Sequence, residues 1–274
     1  MAQVVDKLQP WIAALEGRPS TDVRWLQEIR DKAAARFAAL GFPTTRDEEW
    51  RFTNVAPIAS TEFRPASSVN VAVESIDALP YGNLPFRIAL VNGRFSAELS
   101  RLENLPDGVR AGSLAAAVTA HGDEVARRYA RAADFESRAF VALNTALAAD
   151  GAYLYIPDGT VFDQPVEILF VAAGDDAAAE MIQARTLVVA GSQVQVKLVE
   201  AYASLRNGTY FTNGVTEIYA GENAVIDHYK VQQESLDAFH VAAMQIVAQR
   251  NASVSSHSFS LGGKLVRNDA NALL

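Results

Sequence analysis

The chain has 274 residues, half of them apolar, a formal charge of -8 with both signs dispersed, and no cysteine. Disulfides, thiolate nucleophiles, zinc–thiolate centres and cysteine-ligated clusters are thereby excluded from this chain. With no Lys/Arg block, no apolar run long enough to span a bilayer, and no basic-then-apolar leader in Met1 to Pro10, a cytoplasmic protein is expected that binds neither nucleic acid nor membrane.

Ser20, Thr21 and Asp22 offer capping oxygens to a helix whose Trp25, Ile29, Ala33, Phe37 and Leu40 share one face, closed by Gly41 with Pro43 beyond. Residues 46–53, dense in charge and aromatics, read as a connector that docks on something, and the stretch from there to about Pro85 reads as mostly irregular. Residues 86–91, Asn92 and Gly93, and Arg94 and Phe95 predict a hairpin, because Asn-Gly supplies the positive φ angles of a type I′ turn. The alanine- and arginine-rich span from Leu114 to Ala149, broken at His121 and Gly122 with a fresh cap at Asp123, predicts two helices. From about residue 151 onward the pattern is short strands punctuated by turn residues.

Three stretches in that last part echo one another: residues 186–196, 216–226 and 244–254. The first two stand 30 residues apart, Thr186 to Thr216. Alternating Val, Ile, Thr and Tyr at a fixed period of this size is what stacked β-solenoid coils require, because each coil buries its face against the next. The reading is three regions: 1–85, helical with a connector; 86–150, mixed; and 151–274, the solenoid core.

Candidate chemistry is sparse. His121 and His240 read as surface residues in a helix break and a loop. His228 and His257 lie 29 residues apart. A 29-residue coil would stack their rings about 4.8 Å apart beside Asp227; a 30-residue coil, favoured by the alternation of Met244, Ile246 and Ala248, would not. No metal site is assigned. There is no Gly-x-Ser-x-Gly elbow, and Gly262, Gly263 and Lys264 lack the spacing of a phosphate loop. The serines around His257 read as a solvated strand, and the carboxylates Asp47, Glu48, Glu49, Asp175 and Asp176 read as solvated turns rather than a glycosidase pair.

The connector 43–53, the segment 140–151 with 156–159, and the stretch 262–269 together resemble the SufB/SufD family of iron–sulfur cluster assembly, on its SufD side. The resemblance implies an α+β chain: an N-terminal helical region followed by a right-handed parallel β-helix core. It further implies a non-catalytic scaffold subunit with SufB-like and SufC-like partners. No cofactor is expected in this chain alone, with an iron–sulfur cluster belonging to the assembled complex. Family members continue past residue 274 into a segment that contacts the SufC-like ATPase, so the chain reads as C-terminally truncated. Glu49, Trp50, Arg51, Arg267 and Asn268 match family motifs without an assigned role; Trp50 reads as a docking anchor whose loss would destabilise the N-terminal region. The alternatives are a carbohydrate-active β-helix enzyme and a self-associating solenoid; a homodimer is compatible with the resemblance as well as with self-association.

Overall fold

In the computed structural model, the backbone is described for residues 2–80 and 84–274, and side chains from Gln9 onward. Helices α1 (Ala2–Glu16) and α2 (Arg24–Leu40) come first, then a single 3-10 turn, Glu48–Trp50, in the connector. Short elements follow: α3 (Ala56–Ser60), β1 (Arg64–Pro65) and α4 (Val73–Asp77). The helix expected after Ser20 is α2, but no side chain caps it. Val23 occupies the capping position, and Thr21 Oγ1 accepts only the Val23 N–H. Its buried face carries Leu26, Ile29, Ala33 and Phe37, and it ends at Gly41 with φ +65°.

The expected hairpin is β2 (Phe86–Val91) with β3 (Arg94–Phe95), pairing Leu90 with Phe95 and Val91 with Arg94. Asn92 and Gly93 have φ of 50° and 78°. Gly93 is also required by close approach, since a Cβ there would sit 2.7 Å from the Gln183 carbonyl oxygen. The span 114–149 holds three helices rather than two: α5 (Leu114–Ala120), α6 (Gly122–Ala126) and α7 (Ala139–Leu147), preceded by β4 (Arg110–Ser113). The third helix escapes a propensity reading because, apart from Asn144 and Thr145, it is apolar, and it is buried on every side.

The solenoid consists of β5 (Ala152–Ile156), β6 (Val166–Ala172), β7 (Glu180–Ala190), β8 (Gln195–Ser204), β9 (Tyr210–Ala220), β10 (Val225–Gln233), β11 (Phe239–Ala248), β12 (Ser253–Ser260) and β13 (Leu265–Leu273). Successive strands alternate between two sheets: one ordered β13-β11-β9-β7-β5-β4, with β1 also on β7, and the other ordered β12-β10-β8-β6-β2-β3. All neighbours from β5 to β13 run parallel. β2 pairs with β6, so residues 86–91 extend the second sheet.

The coils shorten along the chain. Thr186 faces Thr216, 30 residues on; Met244 faces Thr216, 28 on; and Phe239 faces Leu265, 26 on. The expected 30-residue period therefore holds for one coil and contracts afterwards. The echo in the sequence marks a stacked corner. Gln193, Asn223 and Asn251 adopt φ of 59°, 58° and 59° at corresponding turns, and Asn251 Nδ2 donates to Asn223 Oδ1 at 3.3 Å. Asn tolerates this left-handed conformation better than most residues.

Apolar side chains fill the space between the sheets: Ile88, Val166, Ile168, Val196 and Leu198 from one side meet Leu154, Val188 and Ile218 from the other. On the outside of the first sheet, α7 packs beneath α1 and α2 in an aromatic cluster that includes Trp11, Phe37, Phe140, Phe211 and Phe239. The Arg185–Glu217 ion pair is completely buried there, and Glu217 also accepts from the backbone N–H groups of Ala130, Ala132 and Ala133. This fastens the segment before α7 to the sheet.

Candidate functional site

The inward columns of the second sheet change character along the solenoid. One runs Ile88, Ile168, Glu200, Lys230, Ser258; the next runs Leu90, Phe170, Tyr202, Gln232, Ser260; a third runs Val166, Leu198, His228, Ser256. Each begins aliphatic or aromatic and turns polar within two coils. On the facing sheet one column stays small, Ala184, Gly214, Ala242, until Asn268, while the columns beside it carry Thr186 and Thr216, and Ile182, Thr212 and His240. Both walls thus contribute to the polar interior.

Its charge is fully partnered. Glu200 takes a hydrogen bond from His228 Nε2 at 3.0 Å, from Tyr202 Oη at 2.5 Å and from Thr216 Oγ1 at 2.8 Å. Burial alone would raise its carboxyl, but the hydrogen bond and charge of His228, with Lys230 and Tyr202, outweigh it and hold the group down at about 2. Lys230 Nζ lies 2.9 Å from His240 Nε2 and donates to Asn268 Oδ1 at 2.6 Å, with the Tyr202 ring 4.8 Å away. Its burial lowers it to about 8 against the pull of Glu200 and Glu234. An ammonium can only donate, so His240 Nε2 accepts, which makes His240 neutral with its proton on Nδ1 and directed at Glu234 Oε2, 2.6 Å away. Burial and the Lys230 charge favour that neutral form.

Two of the histidines, His240 and His121, therefore sit differently from the sequence reading. His240 is a fully buried strand residue, not a loop residue. His228 faces Ser256, with Nδ1 3.0 Å from its Oγ, and His257 lies on the opposite face, stacked on Tyr229 at 5.2 Å. The coil is 28 residues here, so the two histidines do not stack. His121 is half-buried, 6.5 Å from the Tyr153 ring. Nor are the carboxylates confined to turns: Glu200 and Glu217 lie within strands and Glu234 directly follows one, all buried. Interior Glu, Lys and His in phase with aliphatic residues one coil earlier were the signal, visible only with the coil lengths in hand.

A cavity of about 50 Å³ lies among His228, Lys230, Ser256, Ser258 and Asn268, a volume suited to water rather than a substrate. Among the described residues no group of three or more His, Cys, Asp or Glu side chains is placed to hold a metal ion. The arrangement can store charge and pass hydrogen bonds through the interior; it presents no exposed acid–base pair to a sugar.

The unassigned motif residues converge at the same end. The Arg267 guanidinium lies 4.0 Å over the Trp50 ring, donates to the Glu49 carbonyl oxygen at 2.8 Å and to Thr53 Oγ1 at 3.2 Å, and pairs with Asp269 at 2.9 Å. Trp50 packs on Phe140 at 5.3 Å. Asn268, beside Arg267 in sequence, points the other way and takes the Lys230 proton donor. Arg51 is exposed, 5.5 Å from the exposed ring of Phe52. The connector thus docks on the last strand.

Among the described residues β12 pairs with β10 and β13 with β11, and Phe259, Leu261 and Leu273 are more than half exposed.

The architecture is a parallel solenoid flanked by N-terminal helices, with the connector clamped on its last strand. Residues 19–168 match the family model for the SufBD protein N-terminal region, and residues 170–274 match that for the SUF system FeS cluster assembly SufBD core domain. The chain belongs to the SufBD family of the SUF iron–sulfur cluster assembly system. It is 32% identical over 250 residues to the iron–sulfur cluster assembly SufBD family protein slr0076 of Synechocystis, covering 88% of this chain and 54% of that protein. It is similar to SufD of Bacillus subtilis (27% identical; 77% of this chain, 49% of that one) and of Escherichia coli (22%; 85% and 52%). The chain spans about half the length of the curated relatives it matches. Among the described residues no helix is long and apolar enough to cross a membrane.

Proposed function

We propose that this chain is a non-catalytic scaffold subunit of cytoplasmic iron–sulfur cluster assembly, which pairs with a SufB-like subunit through its solenoid and belongs to a complex that also contains a SufC-like ATPase. The observation that carries the reading is the match of the chain to both the N-terminal and the core models of the family, on a parallel solenoid. The exposed side chains of Phe259 and Leu261 offer apolar contact to a partner solenoid. These 274 residues hold no cysteine and so offer a cluster no thiolate, and the cluster is cargo of the complex.

The test is co-expression with the SufB-like and SufC-like subunits of the same organism, read by size-exclusion chromatography with mass detection. Co-elution with the SufB-like subunit is expected, and it should be weakened by Phe259→Lys. Elution of the chain apart from the SufB-like subunit, as a monomer or a homodimer, would overturn the pairing.

A further inference from the structure

The dipeptide Asn-Gly occurs three times in the chain, at 92–93, 207–208 and 213–214, and the fold treats the three differently. Asn92 is buried: its Nδ2 donates to the Ser67 and Ala173 carbonyl oxygens at 2.8 and 2.9 Å, and its Oδ1 accepts from the Ala173 N–H at 3.0 Å. Asn213 is buried within β9, where its Nδ2 donates to the Phe140 carbonyl oxygen and to Gln183 Oε1, both at 2.9 Å. Asn207 is exposed, in the turn between β8 and β9.

Among the described residues no hydrogen bond holds the Asn207 side chain, and no acceptor takes the Gly208 N–H. The side-chain amide and the following backbone nitrogen are thus both free, and glycine has no Cβ to crowd the approach of one to the other. The frame around them is closely fitted. The Asn207 N–H donates to Asp176 Oδ1 at 2.8 Å, and Ser235 Oγ donates to the Gly208 carbonyl oxygen at 3.2 Å. Gly208 has φ of +80°, and a Cβ there would lie 2.2 Å from the Asp176 carbonyl oxygen. Arg206, one residue earlier, is buried against Glu180 at 2.7 Å.

We propose that Asn207 is a site of spontaneous covalent modification, converting to aspartate and isoaspartate while Asn92 and Asn213 are preserved. The Gly208 nitrogen bonds to Asn207 Cγ, and the side-chain nitrogen leaves as ammonia, taking the proton that the backbone nitrogen gives up. The approach needs rotation of the side chain and a local opening, which costs little in an exposed turn. The resulting succinimide adds one water across either of its two C–N bonds. One opening leaves aspartate; the other leaves isoaspartate, whose main chain runs through the side-chain carbons. Either product sets a new carboxylate on the residue that Asp176 already holds. Isoaspartate also adds a methylene to a turn with no slack at Gly208. The change runs one way, so it accumulates at this corner as the chain ages. This inference does not rest on the scaffold reading, and its test uses this chain without partners.

The experiment is storage of the full chain at mildly alkaline pH, folded and, in parallel, unfolded in guanidinium chloride, with peptide mapping by mass spectrometry and isoaspartate quantified at each of the three asparagines. In the folded chain Asn207 should convert at least about tenfold faster than Asn92 or Asn213, whose reaction must wait for a costlier opening. In denaturant the three rates should converge, because the hydrogen bonds that protect two of them are gone. Isoaspartate should accompany aspartate at 207, since direct hydrolysis of the amide gives aspartate alone. Asn207→Ser should abolish the conversion and leave the melting temperature unchanged. In the converted chain, amide hydrogen exchange in residues 174–178 and 205–209 should be faster than in Asn207→Asp, which adds the charge without the methylene. An Asn207 that stays intact in the folded chain, or converts there no faster than Asn92, would overturn the proposal. So would aspartate without isoaspartate, or rates that stay as far apart in denaturant, which would trace the difference to sequence neighbours and not to the fold.

Discussion

The first coils and the last coils of the solenoid use the same parallel ladder to enclose opposite contents. At β6 the inward positions are Val166, Ile168 and Phe170; at β10 the corresponding ones are His228, Lys230 and Gln232. The early interior gains from apolar burial, at about 25 cal/mol per Å². The late interior holds charges whose desolvation their mutual pairing only offsets. The backbone tolerates either because ladder hydrogen bonds are indifferent to which side chain sits in the column. What differs is tolerance to change: an apolar column fails by receiving a charge, and the polar one by losing a single partner.

The sharpest way to break the comparison is to move charge into the early coils. Ile168→Glu places a carboxylate beside Glu200 in register, with no cation of its own. Loss of at least about 4–5 kcal/mol is expected, an exceptional value for one substitution, read as failure to fold or a large fall in the urea midpoint. A wild-type midpoint would mean that the column does not face the interior.

Next is removal of one partner late in the solenoid. Glu200→Leu leaves His228 and Lys230 without their carboxylate and should cost about 3–5 kcal/mol. Continuing the apolar column instead, with Glu200→Ile, His228→Leu and Lys230→Leu together, should recover part of that loss, limited by Tyr202, Thr216, His240 and Asn268, which lose their partners. Stable folding of the triple variant with loss of complex assembly would show that the polar interior serves assembly and not folding. If the triple variant is as unstable as the single, the late coils need their charges to fold.

A smaller effect follows from Lys230, whose ammonium is held down at about 8 by burial against an ordinary 10.5. Below pH 8 both folded and unfolded chains carry the proton, and the folded state bears the full cost of burying it. As pH rises from 8 towards 10.5 the unfolded chain binds more protons than the folded one, so this group's contribution to stability increases with pH. Lys230→Met should lack that increase, a difference on the order of 1–3 kcal/mol across the window. Glu200 acts at the other end: its depressed carboxyl stabilises above the ordinary carboxylate range, and that stability is lost as pH falls through about 2. Denaturation of both chains at pH 7.5 and pH 9.5 checks the first; an identical slope in the two would refute it.

Much of this was legible in the chain. Strand-like alternation from residue 151, the Asn92–Gly93 turn and the Gly41 stop were each set by local chemistry, and so could be read locally. The echo gave the solenoid because the left-handed corners at Gln193 and Asn223 recur with the inward aliphatics. What failed was arithmetic over coils that shorten. A slip of one or two residues in the period hid the alignment of Leu198, His228 and Ser256, and with it the burial of His240 and Glu200. The buried Arg185–Glu217 link and the Trp50–Arg267 contact join residues far apart in sequence, where no periodicity reports them. Helix α7 was missed because a helix buried on every side, with Asn144 and Thr145 buried among its apolar residues, carries no amphipathic signal.

That last contact supplies the smallest predicted effect and the finest test of how the N-terminal connector depends on the late coils. Arg267 does three things at once: it stacks on Trp50, it donates to the Glu49 carbonyl oxygen and Thr53, and it pairs with Asp269. Lysine keeps the charge for Asp269 but has neither the planar face nor the fork, so Arg267→Lys isolates the contribution of guanidinium geometry. The contact is only partly buried, which places the expected loss at about 0.5–1 kcal/mol, the range of exposed cation–π contacts. Because the connector is held by this residue rather than by ladder bonds, the loss should appear first as faster amide hydrogen exchange in residues 48–53, with β11 and β13 unchanged. If exchange quickened equally in β13, Arg267 would be part of the sheet's own stability, and the connector a passive cover.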